Sequence, residues 1–403
     1  MANGLADLTG GSEREPRRGP RAISHPPLRP TVFYFCRLGD MVMLSRMLNL
    51  LHRRFGLPCQ IIGTGSWTSS VYEGHPDVAG VWSFHRHFPF PFDSAWPAVR
   101  RALRASAPGP IYICERHYRQ LPRIRRMLRL AGVDPSRCVF STDEPITGPE
   151  HLVDRLLRLG TRTPKGIQVS EYPIPDLASV DGPRLYVLDA ERTQHQAWLG
   201  SQGWLERDRI IIQPGNHRSM GPRRKRWRRL NTDDKWWPHE RWAALLHRIH
   251  EHRKDALIVL RGSPEEVSML QEIKDVTNLD AVVVSGEGLR PLFALCESAH
   301  SMVSVDTGPA HVAAALNLPL AVLYGAESPL YWLPRTPSGS AVVGVGGPPE
   351  SNRAELVSVD ALFNAWLAVT ENPYPLESNR ASSSRAPTAL AAGRSSRPSW
   401  RES

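Results

Sequence analysis

The sequence predicts an α/β protein made of two doubly wound domains in tandem. Short apolar runs alternate with amphipathic helical segments along most of the 403 residues, a pattern typical of parallel sheets covered by helices on both faces. The alternation stops in a mixed, initially Pro-rich segment over residues 161–205 and then resumes, which indicates a linker. We therefore expect a cleft between the domains, lined by the carboxyl ends of both sheets.

The first series of elements begins at residue 31. The apolar run 31–36 predicts a central strand, and the segment after Arg37-Leu-Gly-Asp40 predicts an amphipathic helix that ends at Gly56. The elements that follow are strands at 58–62, 77–84 and 111–114, and helices after Gly65 and at 95–105, 122–131 and 152–160.

The second series begins with a strand that runs into a turn over residues 209–215. The stretch SVDTGPAHVAAALNLPLAVLYG then predicts a strand–helix–strand unit, because Pro309 suits a first helical turn and donates no N–H there. The predicted elements of this series are strands at 256–260, 281–284, 301–305 and 320–324, and helices at 240–251, 265–274, 289–296, 309–317 and 359–369.

Composition separates the ordered part of the chain from its tails. The two ends are rich in Ser, Arg, Pro and Ala without periodicity, which is typical of disorder. The predicted organisation is a disordered basic tail at 1–29, an N-terminal Rossmann-like domain at 30–185, a C-terminal Rossmann-like domain at 206–355, a C-terminal helix at 356–372 and a disordered tail at 373–403.

The charge balance favours an anionic partner. The net charge is +10 with a pI near 9.7, which suits nucleic acid, an acidic lipid surface or phosphorylated substrates. No apolar run approaches the roughly 18 residues of a membrane helix, and the opening residues lack the apolar core of a secretory signal. Five scattered cysteines without metal-ligand spacing indicate reduced thiols in a cytosolic protein.

The turn that opens the predicted helix at 309–317 is a candidate anion site. Free N–H groups at a helix start and the positive end of its dipole attract anions, Gly308 permits close approach and Thr307 offers a hydroxyl. Asp306 would repel phosphate, so we expect it to orient amides or to cap the helix. His311 faces either the cleft or the core, and a capped turn without a ligand remains an alternative.

Three further residues could carry chemistry: Asp40 and Glu266 follow predicted strands, and Lys235 lies beside a turn that enters a predicted helix. Asp40 could take a proton from a sugar hydroxyl, or it could be an N-cap of the following helix. Lys235 could bind a diphosphate through its mobile ammonium group, which acts as a point charge, or it could be a surface lysine without a ligand. Glu266 could bind both hydroxyls of a ribose, or it could merely favour a first helical turn.

The densest basic run lies between these residues. This run, residues 223–229, suggests contact with an anionic lipid surface or a phosphorylated sugar, with a solvated loop as the alternative. Its candidate contact residues are Arg223, Arg224, Lys225, Arg226 and Trp227. The sequence contains no Asp-x-Asp pair and no His/Cys cluster with metal spacing, so we expect chemistry without a metal ion or other cofactor.

Taken together, these motifs resemble glycosyltransferase family 9, the ADP-heptose:lipopolysaccharide heptosyltransferases. The fragments that carry the resemblance over most of residues 31–370 are RLGDMVMLSRMLNLLHRRFG, GHPDVAGVWSF, AGVDPSRCVF, IIIQPGNHR, KWWPHERWAALL, VLRGSPEE and SVDTGPAHVAAALNLPLAVLYG. The resemblance implies a GT-B fold, with the acceptor bound mainly by the N-terminal domain and the nucleotide sugar by the C-terminal domain.

The resemblance also implies roles for individual residues. Asp40 would be the general base that deprotonates the acceptor hydroxyl, and Glu266 would bind the ribose. The donor diphosphate would be held by Lys235, Thr307, Gly308 and His311, with Asp306 beside them. The implied reaction is an inverting, metal-independent transfer of heptose from ADP-heptose to a phosphorylated lipopolysaccharide core, on the cytoplasmic face of the inner membrane.

The sequence departs from the family in places, and alternatives stay open. Arg46 stands where the family often has Pro, and the stretch between Gly215 and Lys235 is long and basic. These departures leave open another nucleotide sugar, or a capsule or protein acceptor. A basic nucleic-acid-binding module is a further alternative, although no aromatic-interleaved basic strand platform or nucleic-acid motif is present.

Overall fold

A computed structural model of the chain describes residues 25–85, 89–105, 109–146, 148–220, 233–286 and 288–371. The first half contains strands β1 Thr31–Phe33, β2 Cys59–Thr64, β3 Val78–Phe84, β4 Ile111–Ile113 and β5 Cys138–Phe140. Its helices are α1 Leu38–Phe55, α2 Trp67–Tyr72, α3 Trp96–Ala105, α4 Gln120–Ala131 and α5 Leu152–Thr161.

The second half has the same alternation. Its strands are β6 Arg209–Gln213, β7 Leu257–Gly262, β8 Ala281–Ser285, β9 Ser301–Val305, β10 Leu320–Tyr324 and β11 Val342–Gly346. Its helices are α6 Asp189–Gln202, α7 His239–His252, α8 Val267–Thr277, α9 Arg290–Ser298, α10 Gly308–Ala315, α11 Pro329–Trp332 and α12 Val359–Glu371.

The strands form two parallel sheets within the described residues. The first sheet has the order β3-β2-β1-β4-β5 and the second has the order β11-β10-β9-β6-β7-β8, and every paired strand runs parallel to its neighbour. Parallel sheets require both faces to be covered. Apolar side chains of α3 and α4 cover one face of the first sheet, whereas α1, α2 and α5 pack on its other face.

The two domains meet where α1 and α10 begin. A Cβ atom on Gly39 of α1 would lie only 2.6 Å from Cδ2 of His311 in α10, and one on Gly308 would lie 2.8 Å from Leu38 Cδ2. The absence of a side chain at both glycines therefore lets the two helix starts approach each other. Arg335 of the second domain also bonds both carboxylate oxygens of Asp154 in α5, at 2.5 and 2.7 Å.

The predicted α/β class is confirmed, with local corrections. The sequence did not predict β5 or β11 as strands. The predicted linker at 161–205 contains α6, which packs against α9 of the second domain. Residue 28, predicted to lie in a disordered tail, is buried, and the Leu28 N–H donates to Phe55 O at 2.8 Å.

Several predictions fall outside the described residues. They concern residues 1–24, the C-terminal tail from residue 373 and the whole basic run 223–229, with the candidate contacts Arg223, Arg224, Lys225, Arg226 and Trp227. In the part of the chain that the structure describes, no helix has both the length and the apolarity that a membrane crossing needs.

Candidate active site

The start of α10 lies at the carboxyl end of the fully buried strand β9. Thr307 is the N-cap residue, and its side chain makes no capping hydrogen bond. The helix begins at Gly308, one residue before the predicted start, and Thr307, Gly308 and Pro309 are partly exposed. The first amides of this helix and its dipole are therefore directed toward the space between the domains, as an anion site requires.

Lys235 lies beside this helix start. Its Nζ donates to the backbone oxygen of Asp306 at 2.9 Å and to Asp306 Oδ2 at 2.6 Å. The prediction that Asp306 caps the helix is wrong, because its carboxylate is engaged by a lysine 71 positions away and Thr307 occupies the N-cap. The carboxylate instead holds the ammonium group next to the first turn of α10.

Three more cationic or titratable groups surround this place. Partial burial, followed by the charges of Arg37, Arg218 and Lys235, lowers the pKa of His217 to about 4. Arg37 belongs to the first domain, so positive groups from both sides of the cleft converge here. Neither Arg37 nor His217 was assigned a role from the sequence. Both residues follow the carboxyl end of a predicted strand, and this position could have identified them as site residues.

Asp40 lies in the first turn of α1 and not at the N-cap. Its Oδ2 accepts a hydrogen bond from the Arg37 N–H at 3.1 Å, so the N-cap alternative is wrong in detail. Burial among protein atoms is the main cause that raises the pKa of Asp40 to about 6, and the nearby Glu115 carboxyl also raises it. The hydrogen bond from the Arg37 N–H and the charge of Arg37 act in the opposite direction and lower it. The residue as a whole keeps partial solvent access.

Glu115 is a second carboxylate near Asp40 that sequence reasoning missed. It is only 5% exposed, and its Oε1 accepts from the Arg116 and His117 N–H groups at 2.9 and 2.7 Å. Its Oε2 is buried and makes no hydrogen bond among the described residues, and burial raises the pKa of Glu115. Its position two residues after β4, at the same sheet edge as Asp40, could have revealed it.

Glu266 lies under the turn that follows β6. It is 1% exposed, its Oε1 accepts from Ser219 Oγ at 2.6 Å, and its Oε2 accepts from the Ser263 N–H at 2.8 Å. A Cβ on Gly215 would overlap Oε1 of Glu266, so a side chain at this position would displace the carboxylate. Burial raises the pKa of Glu266. Both carboxylate oxygens of Glu266 therefore accept hydrogen bonds from protein groups in this structure.

His311 is buried at the contact between the domains. The residue is 6% exposed, and burial lowers its pKa to about 4. Its Nδ1 has no hydrogen-bond partner among the described residues. The imidazole is therefore neutral at physiological pH, so it can offer a hydrogen bond but no positive charge to an anion at the start of α10.

The structure thus brings the predicted residues together in two groups. Asp40 lies on the first domain beside Glu115, whereas Thr307, Gly308, His311 and Lys235 lie on the second domain at the start of α10. Glu266 lies further along the second sheet, at the ends of β6 and β7. No cluster of three or more His, Cys, Asp or Glu side chains in the described ranges could hold a metal ion.

Comparison with known proteins confirms the family resemblance. Residues 226–361 match the model of glycosyltransferase family 9 (heptosyltransferase). Lipopolysaccharide heptosyltransferase 3 of Escherichia coli is 28% identical over 102 residues, which are 25% of this chain and 30% of that protein. Lipopolysaccharide heptosyltransferase 2 of Escherichia coli K12 is 29% identical over 182 residues, 41% of this chain and 43% of that protein. The matched segments thus span less than half of these relatives.

Two solved structures extend the likeness to the whole fold. The glycosyl transferase family 9 protein from Veillonella parvula DSM 2008 has a TM-score of 0.65 at 17% identity, covering 86% of this chain and 98% of that chain. The Escherichia coli ADP-heptose lps heptosyltransferase II has a TM-score of 0.62 at 19% identity, covering 86% and 99%. The predicted GT-B architecture of two Rossmann-like domains is therefore confirmed.

Proposed function

We propose that this family 9 glycosyltransferase moves a heptose from ADP-heptose to a lipopolysaccharide core acceptor with inversion at the anomeric carbon. The observation that carries the proposal is the approach of the starts of α1 and α10 across the domain contact. This approach places a carboxylate of raised pKa, Asp40, opposite a helix start with Lys235 beside it. A base facing an anion site is the arrangement that sugar transfer from a nucleotide diphosphate requires.

Asp40 acts as the general base of the proposed reaction. With a pKa of about 6 it is ionised at neutral pH and still basic enough to accept a proton from a hydroxyl as that oxygen attacks. The acceptor oxygen forms a bond to the anomeric carbon while the bond to the diphosphate breaks. The proton goes to Asp40 and the electron pair leaves with the diphosphate, so the configuration inverts.

The start of α10 stabilises the leaving diphosphate. Its first amides, the Thr307 hydroxyl and the partly exposed backbone of Gly308 suit the phosphate oxygens. Lys235 would exchange the Asp306 carboxylate for the diphosphate, and His311 would donate from its neutral ring. These groups supply the charge stabilisation that a divalent ion supplies in other transferases, so we propose a metal-independent reaction, which EDTA should leave unchanged.

The donor and the place of action are also part of the proposal. The named heptosyltransferase relatives support ADP-heptose as donor. Both carboxylate oxygens of Glu266 accept hydrogen bonds from protein groups. Glu266 would therefore bind the ribose hydroxyls by giving up its hydrogen bond to Ser219. A lipopolysaccharide acceptor implies a cytoplasmic enzyme that is peripheral on the inner face of the inner membrane, and the charge of +10 suits that surface.

Nucleotide binding and a cellular product together test the proposal. We expect ADP to raise the thermal unfolding midpoint more than UDP or GDP, because a ligand of the folded state stabilises it. We expect mass spectrometry of lipopolysaccharide from a deletion strain to show the loss of one heptose. A shift with UDP alone, or the loss of a different sugar, would move the proposal to another nucleotide sugar or to a capsule or protein acceptor.

A further inference from the structure

Helices α3 and α4 form a strongly basic outer face of the first domain. Neither helix contains an acidic residue, and together they carry seven arginines: Arg100, Arg101, Arg104, Arg123, Arg125, Arg126 and Arg129. The excess positive charge of the whole chain lies in the run 223–229 and in the two tails, so the described residues are close to neutral overall. The α3–α4 face is therefore a locally basic surface on a folded part that has almost no net charge.

Four of these arginines have no partner in the part of the chain that the structure describes. Arg100, Arg101, Arg126 and Arg129 are exposed, and none of them forms a hydrogen bond or an ion pair there. Many other arginines of the described residues are paired; Arg192, for example, bonds Glu297 at 2.7 Å. Like charges clustered without counter-charges repel one another, and an anionic surface relieves that repulsion.

Apolar side chains are exposed at the ends of the same two helices. Phe92 is 79% exposed just before α3, Tyr118 is 62% exposed just before α4, and Leu130 is 45% exposed in the last turn of α4. Single exposed apolar residues are ordinary on protein surfaces. Aromatic and aliphatic side chains around a basic face are instead typical of proteins that lie on a membrane interface.

The α3–α4 face adjoins the carboxyl edge of the first sheet, where Asp40 lies. Tyr118 follows Glu115 by three positions at the carboxyl edge of the first sheet, and Glu115 is one of the charges that act on Asp40. We propose that the α3–α4 face docks on an anionic lipid bilayer and thereby holds the Asp40 cleft at headgroup level. An acceptor anchored in that bilayer would then present its sugars directly to the cleft, a clause that rests on the proposed function.

Sedimentation of the full-length protein with lipid vesicles tests this docking face. The protein should bind vesicles containing phosphatidylglycerol, bind pure phosphatidylcholine vesicles much more weakly, and be released by salt. The triple variant R101Q/R126Q/R129Q should bind the anionic vesicles about a hundredfold more weakly, given the usual contribution of each basic residue. The matched control R192Q/R248Q/R253Q removes the same charge elsewhere and should bind like the wild type.

A second variant separates a membrane from a nucleic acid. Phe92→Ser should weaken binding to anionic vesicles while leaving binding to RNA unchanged, because only the bilayer offers an apolar layer. If the arginine triple variant binds vesicles like the wild type, or if R223Q/R224Q/K225Q alone abolishes that binding, the proposal is wrong. Equal loss of RNA binding in the triple variant, with no effect of Phe92→Ser, would instead indicate a nucleic-acid surface.

The result of the vesicle experiment does not depend on whether the protein is a transferase. The substituted side chains of the α3–α4 face, Phe92, Arg101, Arg126 and Arg129, are exposed, so unchanged thermal unfolding is the expected control for folding of these variants. If ADP fails to bind the wild type, the proposed function fails while the vesicle experiment still decides on the docking face. If ADP binds and the triple variant keeps its vesicle affinity, only the docking face fails.

Discussion

Replacing Asp40 by Asn should abolish transfer and at the same time stabilise the protein at neutral pH. The amide keeps the shape of the side chain, and its Oδ1 can still accept the Arg37 N–H, but it cannot take a proton. We expect kcat to fall by about 10²–10⁴, the usual contribution of a general base. Release of ADP from the donor in the presence of acceptor measures this loss.

The gain in stability follows from the cost of burying the carboxylate. The pKa of Asp40 rises from 3.8 to about 6 on folding, which corresponds to roughly 3 kcal/mol against the ionised form, and to about 1–3 kcal/mol once partial solvent access is considered. The cost is absent below pH 4, where both states are protonated, grows between pH 4 and 6, and is complete above pH 6. The Asn variant should therefore gain stability over the wild type as the pH rises from 4 to 6 and keep the full gain above pH 6.

Denaturant unfolding at pH 8 and at pH 4 measures the difference in the free energy of unfolding between the wild type and Asp40→Asn. The matched control is Asp77→Asn. Burial would raise its pKa, but hydrogen bonds from His52 and Asn49 lower the pKa of Asp77 below the usual value. Asp77→Asn should therefore lose stability at neutral pH and keep its chemistry. An Asp40→Asn protein that retains more than a tenth of kcat, or whose stability gain does not depend on pH, would refute the role of Asp40.

Three further variants address the surroundings of Asp40. Arg37→Gln should weaken ADP binding about tenfold without changing adenosine binding in calorimetry, since a guanidinium contributes by charge-assisted bonds to the diphosphate; equal affinities would exclude that contact. Glu115→Gln should shift the acidic limb of kcat/KM to lower pH by roughly half a unit to one unit, because a neighbouring negative charge raises the pKa of Asp40; an unmoved limb would show that the two carboxylates titrate independently. Gly39→Ala should lower stability by about 1–3 kcal/mol in denaturant unfolding, because the added Cβ meets His311; wild-type stability would show that the contact between the domains adapts freely.

Most of the fold could be predicted because central parallel strands are continuous apolar runs. The two strands that were missed, β5 and β11, lie at sheet edges and consist mainly of half-buried residues. β5 is only three residues long, and β11 contains two glycines, which weaken a strand signal. Helix α6 was missed for a related reason. Leu199 is its one buried side chain, so the segment has almost no apolar face and resembles a linker in sequence.

The candidate site was predictable only where its residues follow strands in recognisable motifs. Asp40, Thr307 and Gly308 lie in such motifs, and the structure places them at the contact between the domains. The partner of Asp306 is Lys235, a long-range contact that local capping rules cannot anticipate. Glu115 was missed because a single acidic residue after a strand carries no motif, and its proximity to Asp40 arises only when β1 and β4 pair.

Arg37 links the two halves of the site electrostatically, and this link makes a last prediction. Its charge lowers the pKa of Asp40 and also lowers that of His217 across the cleft. A diphosphate bound at the start of α10 would bring negative charge to the same place and offset the effect of Arg37 on Asp40. Donor binding should therefore raise the pKa of Asp40 and strengthen the base only when the leaving group is present.

The pH dependence of the two kinetic parameters measures this coupling. The acidic limb of kcat reports the enzyme with its substrates bound, whereas that of kcat/KM for the donor reports the free enzyme. We expect the limb of kcat at a higher pH than the limb of kcat/KM, and we expect the gap to shrink in Arg37→Gln, where there is no charge to offset. Coincident limbs in the wild type would show that the diphosphate and Asp40 do not sense each other.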